Sequence, residues 1–348
     1  MRQRESMTQR ERLELMITAL FPAAMGILGS CAARGGRLAW ALPLLVLPAG
    51  FLLAWVWRKL GPQGLPEAIG QNFSPGAGRL LRGIYLLWGL WILAETALNC
   101  TDRLLAAAQL PVGRVPLLAA IFLLTLWLGQ SRGRYVRTGR IFYLTTAVTL
   151  GAVGLLAVPS LQWENLLPPA ADPKGVLLGG GAVLSLAGYG IYGICQPVHG
   201  AIERRWGWIT AAAGVLSAAL FVTVGALGPA LAAKLDQPFL YILRGVGVPG
   251  AFQRGEAVLA AVLAQADLVL LGLLAQGCAA MLTRQSWGRY AVTGVGAVLA
   301  LILGTWEYKD LWGDEIQIYG GIILGIMVPF IVAWKSREGN NKAKDTIY

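Results

Sequence analysis

Charge is scarce in this chain. Only 14% of its 348 residues are charged, while 56% are apolar. Eight of its ten long apolar stretches contain no Lys, Arg, Asp or Glu. About 25% of the residues of an ordinary soluble domain are charged, so this composition excludes that class.

Histidine and cysteine are also rare. The single histidine is His199, and a lone histidine cannot build a metal site. The four cysteines lie in or at the ends of apolar stretches and no pair has the spacing of metal ligands; they are Cys31, Cys100, Cys195 and Cys278. We interpret them as small buried packing residues, and we expect neither a metal nor a cofactor.

The motifs of common enzyme classes are missing. The chain contains no nucleophile elbow, no Walker A sequence and no H-E-x-x-H motif. The segment Gly188–Gly193 fits the pattern G-x-G-x-x-G, but it lies inside an apolar stretch with no strand before it, which excludes dinucleotide binding. The sequence therefore predicts a protein with no catalytic residues, which is not an enzyme.

What the chain does contain is a series of apolar stretches of membrane-spanning length. A helix needs about 17–25 apolar residues to cross the hydrocarbon core. Hydrocarbon offers no partner for backbone N–H and C=O groups, so each span should be a helix. We predict an all-α integral membrane protein with ten transmembrane helices. The predicted spans are 15–33, 38–57, 83–101, 115–131, 141–163, 175–198, 206–233, 257–283, 290–306 and 316–334.

The distribution of the basic residues predicts the topology. The net charge is +11, and most of the 29 Lys and Arg residues fall in the tails and loops on the side of the N-terminus. The positive-inside rule then places both termini in the cytoplasm, with tails 1–14 and 335–348 around one membrane domain, 15–334. We attribute the basic excess to contact with the anionic lipid bilayer and not to nucleic acid.

Spans 1 and 6 concentrate glycine and proline at mid-membrane depth, within Phe21–Ser30 and Gly179–Gly193. They lie five spans apart and cross the membrane in opposite senses. Interrupted helices at matching positions of two inverted halves point to a transporter binding site. The alternative is helix packing, because small residues are common where membrane helices touch. We expect non-helical, facing segments that bind a ligand: Ala24, Met25, Gly26 and Ile27, with Gly188, Tyr189, Gly190 and Tyr192.

Two acids lie deep inside spans, where an ionisable residue is costly and often functional. Glu95 shares a helix face with Asn99, Trp88 and Trp91, which predicts a polar path for a proton. A protonated Glu95 bonded to a neighbouring helix is the alternative. For Asp267, a coupling role and a structural hydrogen bond are both open; we expect it to be neutral, without a Lys or Arg partner deep in the membrane.

The outer segment Gln237–Glu256 predicts a short amphipathic helix. Phe239, Ile242 and Leu243 have helical spacing, and a Gly/Pro-containing turn follows. We expect this segment to cover the outer end of the pocket as a gate or as a docking element for a partner. A helix that only rests on lipid headgroups is the alternative.

Together these features resemble the spore-germination permease family, the B subunits of GerA-type germinant receptors in the amino acid–polyamine–organocation superfamily. The resemblance rests on the ten spans, the glycine-containing interruption of span 1, and two loop elements. These elements are Asn165-Leu166-Leu167-Pro168 before span 6, and Gln237-Pro238-Phe239 with Arg244 and Phe252-Gln253-Arg254 before span 8.

The resemblance implies a five-plus-five inverted repeat with broken helices 1 and 6. It also implies a small ligand, such as an amino acid, held between those helices. The protein would then be a germinant-receptor subunit in the inner membrane of the spore, acting with other receptor subunits. The alternative function is a stand-alone proton-coupled amino-acid transporter with the same fold.

Overall fold

The computed structural model describes residues 9–60, 64–108, 112–168, 172–195, 207–245, 255–283, 285–305 and 309–335. The regular elements of these residues are all helical. The α-helices are α1 (Gln9–Gly26), α2 (Leu28–Gly35), α3 (Leu42–Leu45), α4 (Leu47–Leu60), α5 (Leu65–Asn72), α6 (Pro75–Ala108), α7 (Arg114–Gly129), α8 (Arg132–Ala157), α9 (Pro173–Ser185), α10 (Ala187–Gly190), α11 (Gly207–Leu227), α12 (Pro229–Ala232), α13 (Pro238–Gly245), α14 (Gly255–Leu282), α15 (Trp287–Thr305) and α16 (Lys309–Ile322).

Shorter helical forms join several of these helices. A 3₁₀ segment, Gly36–Ala41, follows α2, and another, Ile191–Ile194, follows α10. Two further 3₁₀ turns, Val158–Ser160 and Trp163–Asn165, follow α8. A π-helical turn, Ile323–Met327, follows α16, and residues 328–335 continue as α-helix.

The helices confirm an all-α membrane fold. Eight helical stretches of the described residues are long and apolar enough to cross a membrane: Leu28–Leu60, Pro75–Ala107, Gly133–Ser160, Pro173–Ile194, Gly207–Leu227, Gly255–Leu282, Trp287–Thr305 and Glu315–Lys335. The predicted count of ten is not reproduced by this measure, because α7 is a shorter apolar helix and α1 begins with charged residues such as Glu11 and Arg12. The inverted repeat stays a prediction.

The centre of the molecule is the long contact between α6 and α14. Small residues let these helices approach closely: Gly89 of α6 lies against Cys278 of α14, and Gly277 lies against the ring of Tyr192. Helices α1, α7, α8 and α15 pack around the pair. A second apolar core joins α2 and α11 with buried residues of α13. A cleft lies to one side of these cores.

Candidate functional site

A cleft of about 640 Å³ lies between spans 1, 2, 5, 6 and 7. This volume is in the range of small-molecule sites. Its walls come from α1, α3, α4, α8, α9, α10 and α11, and Phe239 of α13 also lines it. Most of the lining is apolar. The polar exceptions include Thr18, Tyr143 and Thr146.

The turn residue of span 6 lines this cleft, and the turn residue of span 1 follows residues that line it. Span 1 is interrupted at Ile27, a single turn residue between α1 and α2, and span 6 is interrupted at Leu186, between α9 and α10. Ala24 and Met25 line the cleft together with Leu186 and Ala187. The structure therefore brings one part of the predicted ligand site to a real opening.

The prediction that Ala24–Ile27 and Gly188–Tyr192 are non-helical is wrong except at Ile27, which is a turn residue. Ala24–Gly26 end α1, Gly188–Gly190 belong to α10, and Tyr192 lies in a 3₁₀ segment. Hydrocarbon penalises unpaired backbone groups, so a helix that contains glycine continues unless something else satisfies those groups.

The glycines of α10 serve close packing instead. A Cβ added at Gly188 would lie 2.5 Å from the Cα of Gly321, and one added at Gly190 would lie 2.5 Å from the ring of Trp57. Gly26 differs, because an added Cβ would meet no atom within 4 Å. The packing interpretation thus holds for Gly188 and Gly190.

Tyr189 and Tyr192 are buried, at 8% and 1% exposure. The hydroxyl of Tyr192 donates a 2.6 Å hydrogen bond to the carbonyl of Tyr85 in α6, and the hydroxyl of Tyr85 donates to the carbonyl of Leu324 at 2.7 Å. Tyr192 does not line the cleft; it ties span 6 to spans 3 and 10.

The carbonyl of Leu324 belongs to the π-helical turn of span 10. A π turn displaces carbonyls from the regular α-helical pattern. The next carbonyl, of Gly325, accepts a 3.4 Å hydrogen bond from Nε1 of Trp57. Side chains of spans 2 and 3 thus satisfy this irregular backbone, as the membrane interior requires. Sequence reasoning missed this network, because no residue type marks a π turn in an apolar run.

Glu95 lies on a partly exposed stripe of α6. Between Gly89 and Thr101, every residue of α6 is buried except Trp91, Glu95 and Asn99. These three residues have the i/i+4 spacing that was predicted, and the Oε2 atom of Glu95 is itself buried. The stripe continues toward Trp88, whose ring packs on Gly320 of α16. A proton path through Glu95 and Asn99 stays a prediction.

Asp267 has the basic partner that the sequence did not reveal. Its Oδ2 atom lies 2.9 Å from Nη1 of Arg103, and the two side chains are 2% and 4% exposed. The prediction that Asp267 lacks a Lys or Arg partner is wrong, because α6 continues to Ala108 and carries Arg103 into the protein interior. Desolvated charges of this kind are tolerated in proteins when they are paired.

Arg103 also holds the outer segment. Its Nε donates a 3.0 Å hydrogen bond to Oε1 of Gln237, the residue before α13. The apolar face of α13 is buried, with Phe239 at 4%, Ile242 at 3% and Leu243 at 8% exposure. Phe239 also lines the cleft, and a role of this segment as a gate or docking element stays a prediction; Phe252 lies outside the described residues.

No group of three or more His, Cys, Asp and Glu residues in the described part of the chain has the arrangement of a metal site. His199 lies outside the described residues.

Comparison with known proteins gives a distant structural likeness only. No protein-family model matches the chain, and no curated protein matches it. Two variants of a manganese transporter from Eremococcus coleocola are similar in structure at a TM-score of 0.45 and 15% identity, over 95% of this chain and 71% of theirs. The same transporter in complex with an aromatic bis-isothiourea substituted compound gives a TM-score of 0.39 at 15% identity, over 95% and 72%. The assignment of this chain to an all-helical membrane fold rests on its own helices.

Proposed function

We propose that this chain is the permease-like membrane subunit of a spore germinant receptor. It binds a small nutrient, an amino acid with an apolar side chain, in the cleft between spans 1, 2, 5, 6 and 7. The observation that carries the proposal is that this 640 Å³ cleft is lined by Leu186, the turn residue of span 6, and by Ala24 and Met25, which precede the turn residue of span 1. A packed helix bundle without a ligand has no need of such an opening.

The lining of the cleft favours a ligand with an apolar body and few polar groups. Binding sites of this kind are mostly apolar, with a small number of placed polar groups that fix orientation. Thr146 supplies one such group: the residue is 5% exposed, and its Oγ1 atom is buried with no hydrogen-bond partner among the described residues. A buried hydroxyl of this kind is costly unless a ligand or water satisfies it.

The loop residues that resemble the germination permeases support the proposal through their positions. The side chain of Asn165 donates a 3.0 Å hydrogen bond to the carbonyl of Gly225, and Leu166 is buried at 2% exposure. Gln237 accepts the hydrogen bond from Arg103. The described residues of both loop elements therefore hold the connections at the ends of spans in place. Such a role limits which residue types can occupy these positions.

A receptor subunit also needs a surface for its partners. Tyr241 of α13 is 43% exposed, on the opposite side from the buried Phe239 and Ile242. In this proposal α13 contacts the cleft through Phe239 and a partner subunit through Tyr241. It can therefore transmit to the partner whether a ligand occupies the cleft.

Photo-leucine, the diazirine analogue of leucine, tests the ligand site. We expect the purified full chain to be labelled at Met25, Leu186 or neighbouring cleft residues, and excess leucine to compete. Ala24→Phe should reduce labelling about tenfold or more, because Ala24 lines the cleft. Ala120→Phe, on an exposed face of α7, is the matched control. Labelling that is spread over all helices and indifferent to leucine would refute the proposal.

The alternative function, a stand-alone proton-coupled amino-acid transporter, is favoured by the partly exposed stripe around Glu95. In proteoliposomes with a pH gradient, a transporter would accumulate radiolabelled leucine, and Glu95→Gln would abolish the accumulation as completely as Glu95→Ala. For a receptor subunit we expect no accumulation by the wild type, and unchanged photo-leucine labelling in Glu95→Gln. If Glu95→Gln is normal and Glu95→Ala fails, the residue acts only through a hydrogen bond.

A further inference from the structure

The side of the cleft formed by α8 and α11 carries several small residues, and two glycines of α8 have open space beside them. Small residues in membrane helices usually allow two helices to touch. Here a Cβ added at Gly151 or Gly154 of α8 would meet no atom within 4 Å, although both residues line the cleft. Small residues of α11, Ala211 and Ala218, lie in the facing wall and are exposed. These residues create space between the two helices.

This side of the cleft is open toward the bilayer. Leu155 of α8 is 76% exposed and Val215 of α11 is 48% exposed, and both are also part of the cleft wall. Exposed leucine and valine in the middle of membrane spans face lipid chains. An occupant of this part of the cleft must therefore be apolar along its length.

A basic residue, Arg140, lies in the N-terminal half of α8, just before the part of this helix that lines the cleft. Arg140 precedes the lining residues Tyr143 and Ala147 by three and seven positions, so it lies on the same helix face. Its side chain is 66% exposed, and its Nε lies 3.8 Å from Oε2 of Glu14 in α1. The Glu14 side chain is 17% exposed, but a separation of 3.8 Å and the exposure of Arg140 make the pair weak, so the guanidinium can also bind another anion.

Two further arginines precede Arg140 in α8: Arg137, and Arg134, whose guanidinium donates to the carbonyl of Trp127 and lies over its ring. Clusters of basic residues at the membrane surface attract anionic lipids, with about 1 kcal/mol for each Lys or Arg. The end of the cleft at Arg140 thus offers a site for a phosphate group, and the cleft beyond it offers a site for an acyl chain.

We propose that an anionic phospholipid of the surrounding bilayer binds here, with one acyl chain between α8 and α11 and its phosphate at Arg140. The inner wall at Met25 and Leu186, where we place the nutrient, is a different part of the cleft. The lipid site does not require the proposed function, and the lipid would form the outer wall of the nutrient pocket.

Photoactivatable lipids test this site. The full chain is placed in nanodiscs of phosphatidylcholine that contain a trace of phosphatidylglycerol with a diazirine near the end of one acyl chain. We expect cross-links to concentrate on residues 147–155 and 211–218. Phosphatidylcholine with the same labelled chain should give about fivefold less labelling, as expected from one basic contact. Arg140→Gln should remove this difference between the two lipids.

A substitution that fills the space beside α8 provides the second test of the lipid site. Gly151→Leu should reduce labelling of α8 and α11 at least fivefold. The matched control is Gly294→Leu in α15, an exposed glycine where an added Cβ also meets nothing within 4 Å, and it should change nothing. Equal labelling of α15 and α8, or labelling unaffected by Gly151→Leu, would overturn the proposal, as would labelling by a diazirine fatty acid alone. Photo-leucine labelling of Met25 is read separately, so either proposal can fail while the other stands.

Discussion

Replacing Asp267 by Asn is expected to destabilise this protein more than any other single change of similar size. The replacement leaves the guanidinium of Arg103 buried at 4% exposure without its carboxylate partner at 2.9 Å. Removing one member of a buried ion pair costs about 3–5 kcal/mol, because the remaining charge stays desolvated. SDS titration of the protein in mixed micelles, followed by tryptophan fluorescence, should show unfolding at a much lower SDS fraction.

A second ion pair provides the matched control. Arg114 and Asp102 are also separated by 2.8 Å, but their side chains are 39% and 40% exposed. An exposed pair contributes about 0–1 kcal/mol, so Asp102→Asn should shift the unfolding curve little.

The double variant Arg103→Met, Asp267→Leu removes both charges. It should recover most of the stability lost in Asp267→Asn, since apolar replacements of a whole buried pair are often neutral. If Asp267→Asn unfolds at the same SDS fraction as the wild type, Arg103 and Asp267 do not form a stabilising buried ion pair.

The pair also explains why sequence reasoning about Asp267 failed. The predicted span 3 stopped at Thr101, because Asp102 and Arg103 end the apolar run. A helix can continue past charged residues when they find partners, and α6 continues to Ala108. Arg103 reaches Asp267 of α14 across 164 positions of sequence. Contacts between residues so far apart in the sequence depend on how whole helices pack. The spacing of apolar residues does not predict that packing.

The helical secondary structure of the apolar stretches, in contrast, could be predicted well from the sequence. Backbone groups in hydrocarbon must be hydrogen-bonded within the protein, so apolar stretches of spanning length form helices. Eight of the ten predicted spans correspond to helical stretches of spanning length, such as Gly255–Leu282. The cleft could not be predicted. It depends on the separation of α8 from α11, and glycines such as Gly151 have the same sequence signature whether they pack or leave space.

The same ambiguity between close packing and open space applies to spans 1 and 6, and one glycine in each span distinguishes the two cases. Replacing Gly188 by Ala should disrupt the protein, because the new Cβ would lie 2.5 Å from the Cα of Gly321. Backbone atoms cannot turn away as a flexible side chain can. Overpacking of this kind typically costs about 1–3 kcal/mol. We expect earlier unfolding in SDS and a loss of photo-leucine labelling at Leu186.

Gly26→Ala is the matched control in span 1, since the new Cβ would meet no atom within 4 Å. Gly26 ends α1 and does not line the cleft, so alanine should leave stability unchanged or raise it by up to about 1 kcal/mol. Photo-leucine labelling at Met25 should persist. If Gly26→Ala abolished labelling while the protein stayed folded, the ligand would contact the backbone at the end of α1, as the sequence first suggested. If Gly188→Ala were harmless, the close contact of spans 6 and 10 would not hold the interruption at Leu186 in place.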